Sequence, residues 1–388
     1  PVAGSGVGSW ASARAGASIS AVVVATARRR RERAIRSTSD SLAPMPRKRW
    51  QRYPRSMPDV FDLAPKVELH LHLEGAIPPA ALWQLVQAYG DPQTPSLEAI
   101  TERFEYRDFA HFIETWQWML PFIRTPADWS AVAQAVAESL AAQHIVYAEA
   151  SISPTDFRQH ELSVADIATA VRAGLDRVEG TQVNLLVDLV RDTGPEWCAR
   201  TLEAVAEVAP AAGIVGITIG GSEHDFPPGP YAAVYRRAGE AGLGRSVHAG
   251  EAGGPENVWT ALRELGVDRI GHGIRAVEDP SLLSHLVAEQ VPLEVCPTSN
   301  VRTGVVKDWG SHPVVELVES GARVTISSDD PTYFECSLAG DLRQVATLTG
   351  LDVERHTRYA IDASFSDAAT KGRLSAEVAG FWARRDAG

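Results

Sequence analysis

The 388-residue sequence is poor in cysteine and in methionine, with three of each. Cys198, Cys296 and Cys336 are an odd number and form no Cys-x-x-Cys pair. Such a set argues against a disulfide framework and against a zinc site built from thiolates. We therefore expect a protein of the reducing cytoplasm.

Long apolar runs are also missing near the N-terminus. The longest stretch there, residues 19–27, is too short to span a bilayer. It comes before the basic run 28–31, whereas a signal peptide carries its basic residues first. The sequence therefore predicts neither a membrane anchor nor an export signal.

Charge divides the chain into two unequal parts. Of its 37 basic and 49 acidic residues, 12 and 2 respectively lie within residues 1–57. We interpret this basic segment as a disordered or spurious extension, because it shows no helical or strand periodicity. The remainder, 58–388, is strongly acidic and would repel nucleic acid and anionic membranes. We expect a small molecule as its partner and make no prediction about its oligomeric state.

Short apolar runs alternate with longer stretches of helical spacing throughout residues 58–388. Eight strands that alternate with helices predict an α/β fold with parallel pairing, most simply a closed (β/α)8 barrel. A doubly wound open sheet is the alternative. An aromatic-rich helical segment, 83–122, lies between the first two strands and is expected to cap the barrel mouth. The predicted strands are 67–73, 145–152, 183–190, 214–219, 245–249, 269–271, 292–296 and 323–327.

Polar clusters follow five of these strands. In a barrel enzyme, the ends of the strands and the loops that follow them carry the active site. The clusters are His70-Leu71-His72-Leu73-Glu74-Gly75, His248-Ala249-Gly250-Glu251, Gly271-His272-Gly273, Cys296-Pro297-Thr298-Ser299-Asn300 and Ser328-Asp329-Asp330-Pro331.

Four of these side chains suit a metal ion. His70 and His72 lie two residues apart on one strand, so their Cβ atoms are roughly 7 Å apart on the same face, a separation that one ion can bridge. His248 and Asp329 would complete a ligand set suited to Zn²⁺ and compatible with Fe²⁺. Each motif has an ordinary alternative, since His-x-His on a strand is often structural and Asp before Pro331 is a typical helix N-cap. Their joint placement at strand ends favours a metal site.

Together, the five motifs resemble those of the adenosine deaminase family over roughly residues 66–340. The resemblance implies one zinc ion per subunit, bound by the two histidines of the first strand, His248 and Asp329. It also implies that Glu251 donates a proton to purine N1, while His272 orients and helps deprotonate the attacking water, beside the catalytic Asp329.

The resemblance also implies a substrate-binding set. Asp330 would hydrogen-bond N7, and the backbone at Gly221 would meet N3. His72 and Glu74 would lie beside the substrate. Relatives with two metal ions usually carry a bridging lysine on the fourth strand, and no lysine of this chain lies there. A single ion is therefore favoured.

The leading hypothesis is zinc-dependent hydrolytic deamination of adenosine or 2′-deoxyadenosine to the inosine product and ammonia. Glu74 occupies the position where adenosine deaminases commonly carry an aspartate near the ribose. The alternative is therefore free adenine or a modified adenine nucleoside of the aminodeoxyfutalosine type. Hypotheses of other kinds are a non-catalytic, metal-containing binding module and a metal-dependent amide or ester hydrolase.

Overall fold

A computed structural model describes residues 58–106 and 109–386. The basic segment 1–57 lies outside these residues, so its interpretation as a disordered or spurious extension stays a prediction. The described chain is an α/β structure built around a curled sheet of parallel strands. The predicted fold class is thereby confirmed.

Within the described residues, the strands form two parallel sheets, ordered β1-β2-β3-β4-β5 and β6-β7-β8-β9. The predicted fifth strand is present as two short pieces on either side of Ser246 and Val247. The strands are β1 (Lys66–His72), β2 (Ile145–Ile152), β3 (Gln182–Asp188), β4 (Ile214–Thr218), β5 (Gly244–Arg245), β6 (His248–Ala249), β7 (Ile270–His272), β8 (Leu293–Val295) and β9 (Val324–Ile326).

Backbone hydrogen bonds join the two sheets into a barrel. On one side, His248 N–H donates to the carbonyl of Ile219, just beyond β4, at 3.2 Å. On the other side, Leu71 of β1 pairs in parallel with Asp329, which follows β9. His72 N–H donates to Asp329 O at 2.9 Å, and Asp329 N–H donates to His70 O at 3.1 Å. The ring is closed, so the open-sheet alternative is wrong.

Helices connect successive strands, as the sequence predicts. Several begin at strong capping signals. Thr125 and Asp128 form a capping box around Pro126, and Ser163 and Asp166 form another. The α-helices of the described residues are α1 (Val60–Leu63), α2 (Pro79–Tyr89), α3 (Leu97–Arg103), α4 (Phe109–Met119), α5 (Pro126–Ala142), α6 (Val164–Leu175), α7 (Pro195–Ala212), α8 (Ala232–Glu240), α9 (Pro255–Thr260), α10 (Pro280–Glu289), α11 (Pro297–Arg302), α12 (Val314–Glu319), α13 (Pro331–Phe334), α14 (Leu338–Thr349), α15 (Val353–Ala363) and α16 (Ala368–Asp386).

The predicted insertion between β1 and β2 contains helices α2 to α4. Phe104, next to α3, and Phe112 of α4 both pack against the ring of Tyr333, with centroids 5.0 and 5.7 Å apart. Tyr333 belongs to α13, which begins immediately after Asp330. The insertion therefore covers the barrel where β1 and β9 end, as expected for a cap.

Strand β1 shows how the barrel separates its apolar and polar residues. Val67 and Leu69 pack with Ile361 of α15 and Leu374 of α16 in a small cluster outside the strands. The alternate residues Glu68, His70 and His72 point to the opposite face, because successive side chains of a strand alternate. The barrel interior is therefore lined by ionisable groups from β1.

The described residues bear on two predictions from the sequence, that the chain has no disulfide framework and no membrane anchor. All three cysteines are free, and Cys198 and Cys296 are buried. Among the described helices, none combines the length and apolar character needed to cross a bilayer. The cytoplasmic location stays a prediction.

The packing of α5 gives a stability prediction. Trp129 is fully buried and meets Phe157 edge to face, with centroids 4.7 Å apart. We expect Trp129→Ala to lower the free energy of unfolding by about 3–5 kcal/mol, because it removes a large core side chain. Urea denaturation followed by circular dichroism measures this loss. Trp197→Ala, at a position 41% exposed, is the control and should cost much less; equal losses would contradict the packing.

Candidate active site

The barrel brings a group of potential metal ligands together at the ends of β1, β6, β7 and β9. His70, His248, His272 and Asp329 are all buried, and each offers one ligand atom within 4.8 Å of the others. His70 Nε2 lies 3.0 Å from His248 Nε2 and 3.5 Å from Asp329 Oδ1. These residues form a site that can hold a metal ion.

His72 lies at the edge of the same cluster. Its Nε2 atom is 3.3 Å from Asp329 Oδ1, and its ring centroid is 5.7 Å from that of His70. The sequence predicts His72 as a ligand and His272 as a neighbour, whereas the group of four described above includes His272. Both histidines are close enough to Asp329 to be a metal ligand. The ring nitrogen that carries the proton in each, which follows from its hydrogen bonds, decides between them.

Both histidines of β1 have the Nδ1 atom bound to an acceptor. His70 Nδ1 lies 2.9 Å from Glu294 Oε2. Although burial opposes ionisation, Arg269 and His70 lower the pKa of Glu294 to about 2, so this carboxylate can only accept. Ser151 Oγ donates to the carbonyl of Leu71 and accepts from His72 Nδ1 at 3.0 Å. In both rings, Nε2 is therefore the unprotonated nitrogen when the ring is neutral.

In His272 the proton lies on the other ring nitrogen, Nε2, and a chain of hydrogen bonds that starts at a backbone N–H fixes it there. Val314 N–H can only donate, so His312 Nδ1 accepts it at 3.0 Å. Burial lowers the pKa of His312 to about 4, so its ring is neutral and Nε2 carries the proton. This proton faces Asn300 Oδ1 at 3.3 Å, which turns Asn300 Nδ2 towards His272 Nδ1 at 3.1 Å. Burial also lowers the pKa of His272, to about 3. His272 Nε2 therefore bears a hydrogen.

The electrostatics of the cluster favour a cation. Burial opposes the charged form of His70 and His72, yet the surrounding carboxylates outweigh it. Hydrogen bonds to Asp329 and Glu294 raise the pKa of His70 to about 9. The charge of Asp330, with Asp329, raises the pKa of His72 to about 10. A site that stabilises positive charge and offers imidazole nitrogens and a carboxylate oxygen fits a divalent ion such as zinc.

Glu251 lies beside this cluster and has a strongly raised pKa. Its Oε2 atom is 3.6 Å from His272 Nε2. Burial, together with the charges of Asp329 and Glu223, raises the pKa of Glu251 to about 8. A raised pKa favours the protonated form of a carboxyl group, which is the form that can donate.

Asp330 and Glu74 present buried oxygens that have no partner. Asp330 stands at the N-cap position of α13, but its side chain makes no capping hydrogen bond, and Oδ1 is unsatisfied. Glu74 accepts from Ser153 N–H at 2.9 Å through Oε1, while Oε2 is unsatisfied. Burial raises the pKa of both groups to about 7. Because unsatisfied buried polar atoms are costly, these oxygens are candidates to contact a ligand.

The predicted position for ring N3, Gly221, lies in the loop after β4. Its φ of +96° is in the region that favours glycine, and a Cβ there would overlap the carboxylate of Asp192. That carboxylate accepts from Ser222 N–H at 2.9 Å. Gly221 is exposed, so its backbone is accessible to a ligand. Its contact with N3 stays a prediction.

The sequence reasoning missed the residues that orient the site. Glu294 and Ser151 are inward-facing polar residues of strands, a signal that could have been used. The link from His312 to Asn300 had no signal in the sequence, because it joins α11 to a residue of the following loop through a side-chain contact that no local pattern predicts.

Known proteins provide an independent comparison. A family model described as adenosine deaminase matches residues 65–381. An aminodeoxyfutalosine deaminase of Streptomyces avermitilis is 38% identical over 323 residues, which cover 81% of this chain and 90% of that protein. An adenine deaminase of Agrobacterium fabrum is 35% identical over 320 residues, with 81% and 97% covered.

Solved structures agree with this family. An adenine deaminase from Arthrobacter aurescens superposes with a TM-score of 0.76 at 31% identity and covers 82% of this chain and 99% of its own. An amidohydrolase from Burkholderia ambifaria, solved with bound Zn, superposes with a TM-score of 0.76 at 25% identity. It covers 86% of this chain and 95% of its own.

The polarity of His272 is testable by NMR. With ¹⁵N-labelled histidine, we expect His272 to show an unprotonated Nδ1 and a protonated Nε2. His312→Leu should allow both tautomers, because Asn300 loses the donor that fixes its amide. His285→Leu, which alters a ring packed on Trp259, is the control and should leave His272 unchanged. A protonated Nδ1 in the unmodified protein would contradict the assignment, because Nδ1 would then donate to Asn300 instead of accepting from it.

Proposed function

This chain belongs to the adenosine deaminase family, and we propose that it hydrolytically removes the amino group from C6 of an adenine ring. The observation that carries this proposal is the carboxyl group of Glu251, with its raised pKa, beside a cluster of metal ligands. A binding module with a structural metal needs no proton donor at that position. An amide or ester hydrolase needs no group that protonates a ring nitrogen.

We assign a single zinc ion to His70, His72, His248 and Asp329. Nε2 of His70 and of His72 lies 3.5 and 3.3 Å from Asp329 Oδ1, so these atoms are close enough together to serve one ion once both rings have given up the Nε2 proton. A nitrogen that bears a hydrogen cannot coordinate a metal, so the polarity of His272 removes it from the ligand set. Fe²⁺ fits the same donors. When bound, the ion supplies an acidified water as the nucleophile for C6.

The other side chains perform the proton transfers. Glu251 gives its proton to N1, which allows the ring to accept electrons when C6 is attacked. His272 orients the attacking oxygen by donating from Nε2. Asp329 Oδ2, 3.9 Å from that nitrogen, accepts the proton released by the water. Asp329 then passes its proton to the C6 amino group, which leaves as ammonia, while the C6 hydroxyl proton returns to Glu251 as the C6 carbonyl forms.

This role of His272 differs from the one implied by the resemblance, in which it helps to deprotonate the water. A ring whose Nε2 already carries hydrogen donates at that position instead of accepting. The difference rests on the bond from Val314 N–H to His312, because a backbone amide has no acceptor form.

For the substrate, we propose free adenine or a modified adenine nucleoside of the aminodeoxyfutalosine type in place of adenosine. The adenine and aminodeoxyfutalosine deaminases compared above support this choice. Asp330 would bind N7, and the Gly221 backbone would bind N3. Glu74 would lie with His72 on the N9 side, where its unsatisfied Oε2 can accept from N9–H of the free base or from a sugar hydroxyl.

A substrate panel tests the proposed reaction. Loss of the adenine chromophore and release of ammonia are measured with adenine, adenosine and aminodeoxyfutalosine. We expect the highest kcat/KM for adenine or aminodeoxyfutalosine. Glu251→Gln should lower kcat by about 10²–10⁴-fold, because general acid catalysis is lost, and it also reveals any contaminating deaminase. Preference for adenosine would refute the substrate assignment, and absence of turnover on all three would refute the reaction.

The ligand assignment predicts that substitution of His72 and of His272 lowers the affinity for zinc to different extents. His72→Ala should weaken zinc binding by more than the 10–100-fold typical of residues outside the ligand set, because a ligand is removed. His272→Ala should retain zinc at near-normal affinity. Competition with a chelating dye measures both affinities without reference to turnover. Equal losses in the two variants would mean that His272 is also a ligand.

A further inference from the structure

Glu223, in the loop after β4, is a buried carboxylate that the proposed reaction does not use. It is 2% exposed, although it lies at the end of the barrel that opens to solvent. Its two oxygens accept five hydrogen bonds, four from the neighbouring loop 250–253 and one from Asn257 of α9. The donors are Gly250 N–H (2.7 Å), Glu251 N–H (3.1 Å), Ala252 N–H (2.9 Å), Gly253 N–H (2.8 Å) and Asn257 Nδ2 (3.0 Å).

Four consecutive backbone N–H groups that converge in this way form a nest, which is an anion-binding concavity. Here the anion is a carboxylate of the same chain. Bonds from N–H groups to an ionised carboxylate are stronger than bonds between neutral groups. Residues 250–253 are therefore shaped around Glu223.

Apolar packing does little to hold this loop. Residues 252–254 have no side chain larger than a methyl group. A cavity of about 490 Å³ lies against them, lined by Glu223, Ala252, Gly253 and the exposed Glu256, among others. The position of the loop backbone therefore depends on hydrogen bonds.

The glycines of the loop show how closely the two segments approach. A Cβ on Gly253 would lie 2.6 Å from Glu223 Oε1, which is too close for a side chain. Gly250 has a φ of +73°, in the left-handed region. Both positions need glycine for the loop to close around the carboxylate.

This loop carries Glu251, whose backbone N–H is one of the five donors. We propose that Glu223 is the positioning residue for Glu251, holding its backbone so that its carboxyl group faces His272 and the substrate ring. The proposal rests on the proposed function, because Glu251 is the proton donor of that reaction. None of the five donors to Glu223 is a proposed metal ligand, so we place its effect on the reaction in the backbone of the loop.

The first experiment tests the hydrogen bonds directly, by amide hydrogen exchange in the zinc-loaded protein. Glu223→Gln keeps the shape of the side chain but turns an NH₂ group towards N–H donors. We expect the amides of residues 250–253 to exchange at least about 10-fold faster in this variant, while the strand amides keep their rates. Glu256→Gln removes an exposed carboxylate beside the same cavity and is the control. Unchanged exchange at residues 250–253 in Glu223→Gln would overturn the proposal.

The second experiment separates positioning of Glu251 from general stabilisation. With the best substrate of the panel, Glu223→Gln should lower kcat by about 10- to 100-fold, because a misplaced catalytic group is ineffective, with KM changed much less. In a Glu251→Gln background, the same change should cause no further loss, because a residue that acts through Glu251 has nothing left to position. Glu223→Asp should recover part of kcat, since it keeps the charge.

An equal loss in both backgrounds would overturn the proposal, since it would show a general structural effect. If the unmodified protein deaminates no adenine ring, the proposed function fails, and the exchange experiment still tests the hold of Glu223 on the loop. If the unmodified protein is active and Glu223→Gln is as active, the inference about Glu223 alone fails. Zinc content is measured in every variant, because a loss of kcat that accompanies a loss of zinc would arise at the ligand His248 and not at Glu251.

Discussion

The backbone pairing of β1 with Asp329 closes the barrel and assembles the site in one step. Two hydrogen bonds make this pairing, and their partners are His70, His72 and Asp329. Three of the four proposed ligands are thus fixed by the contact that completes the ring. Asp329 has a φ of +65°, a conformation that few residues other than glycine adopt, so the strand turns sharply at the ligand. Strain at this position is consistent with a functional site.

Beneath the cluster, the barrel contains a buried network of charges. Arg269 lies between Glu149 and Glu294, and Glu294 in turn accepts from His70 Nδ1. The network continues outward, because Arg269 also donates to the carbonyl of Ala363 at the end of α15. Removing one member of such a network would leave an uncompensated buried charge. The orientation of His70 therefore depends on contacts that extend to the C-terminal helices.

The direction of hydrogen bonds gives chemically identical residues different properties. His70 and His72 donate from Nδ1, so their Nε2 atoms can coordinate a cation. His272 accepts at Nδ1 and therefore donates from Nε2. For His70 and His272, the difference originates in a carboxylate that can only accept and a backbone N–H that can only donate. The partner of His72 is the Ser151 hydroxyl, which accepts because its own proton goes to the Leu71 carbonyl. Neutral imidazole has one donor and one acceptor nitrogen, so a partner on one side determines the other.

Loops at the mouth of the barrel are shaped by carboxylates and by glycine. Glu223 organises the loop that carries Glu251, and Asp188 accepts from the backbone N–H of Val190 and Gly220 in the loops after β3 and β4. Buried acids therefore have two roles in this end of the barrel. Some hold backbone through several N–H groups, while Asp330 and Glu74 keep an oxygen unsatisfied and are left for a ligand.

Expectations about substrate depended on a single residue. Glu74 raised the alternative to adenosine, and the adenine and aminodeoxyfutalosine deaminases among the similar proteins favour that alternative. Neither the pattern nor the family motif could decide this, because substrate choice depends on the space beside N9. The surroundings of Glu74 are formed only in the folded chain, where its Oε1 accepts from the N–H of Ser153, just after β2.

The sequence by itself determined the eight-fold alternation of strands and helices, since periodicity and capping are local properties. It also placed polar residues at the ends of strands, and the pair His70-x-His72 on one face follows from the two-residue period of a strand. The split of the fifth strand, the link from His312 to His272 and the hold of Glu223 on residues 250–253 were decided only by the tertiary structure. These features depend on hydrogen bonds between residues that are distant in the chain, and their direction is set by partners that no local pattern identifies.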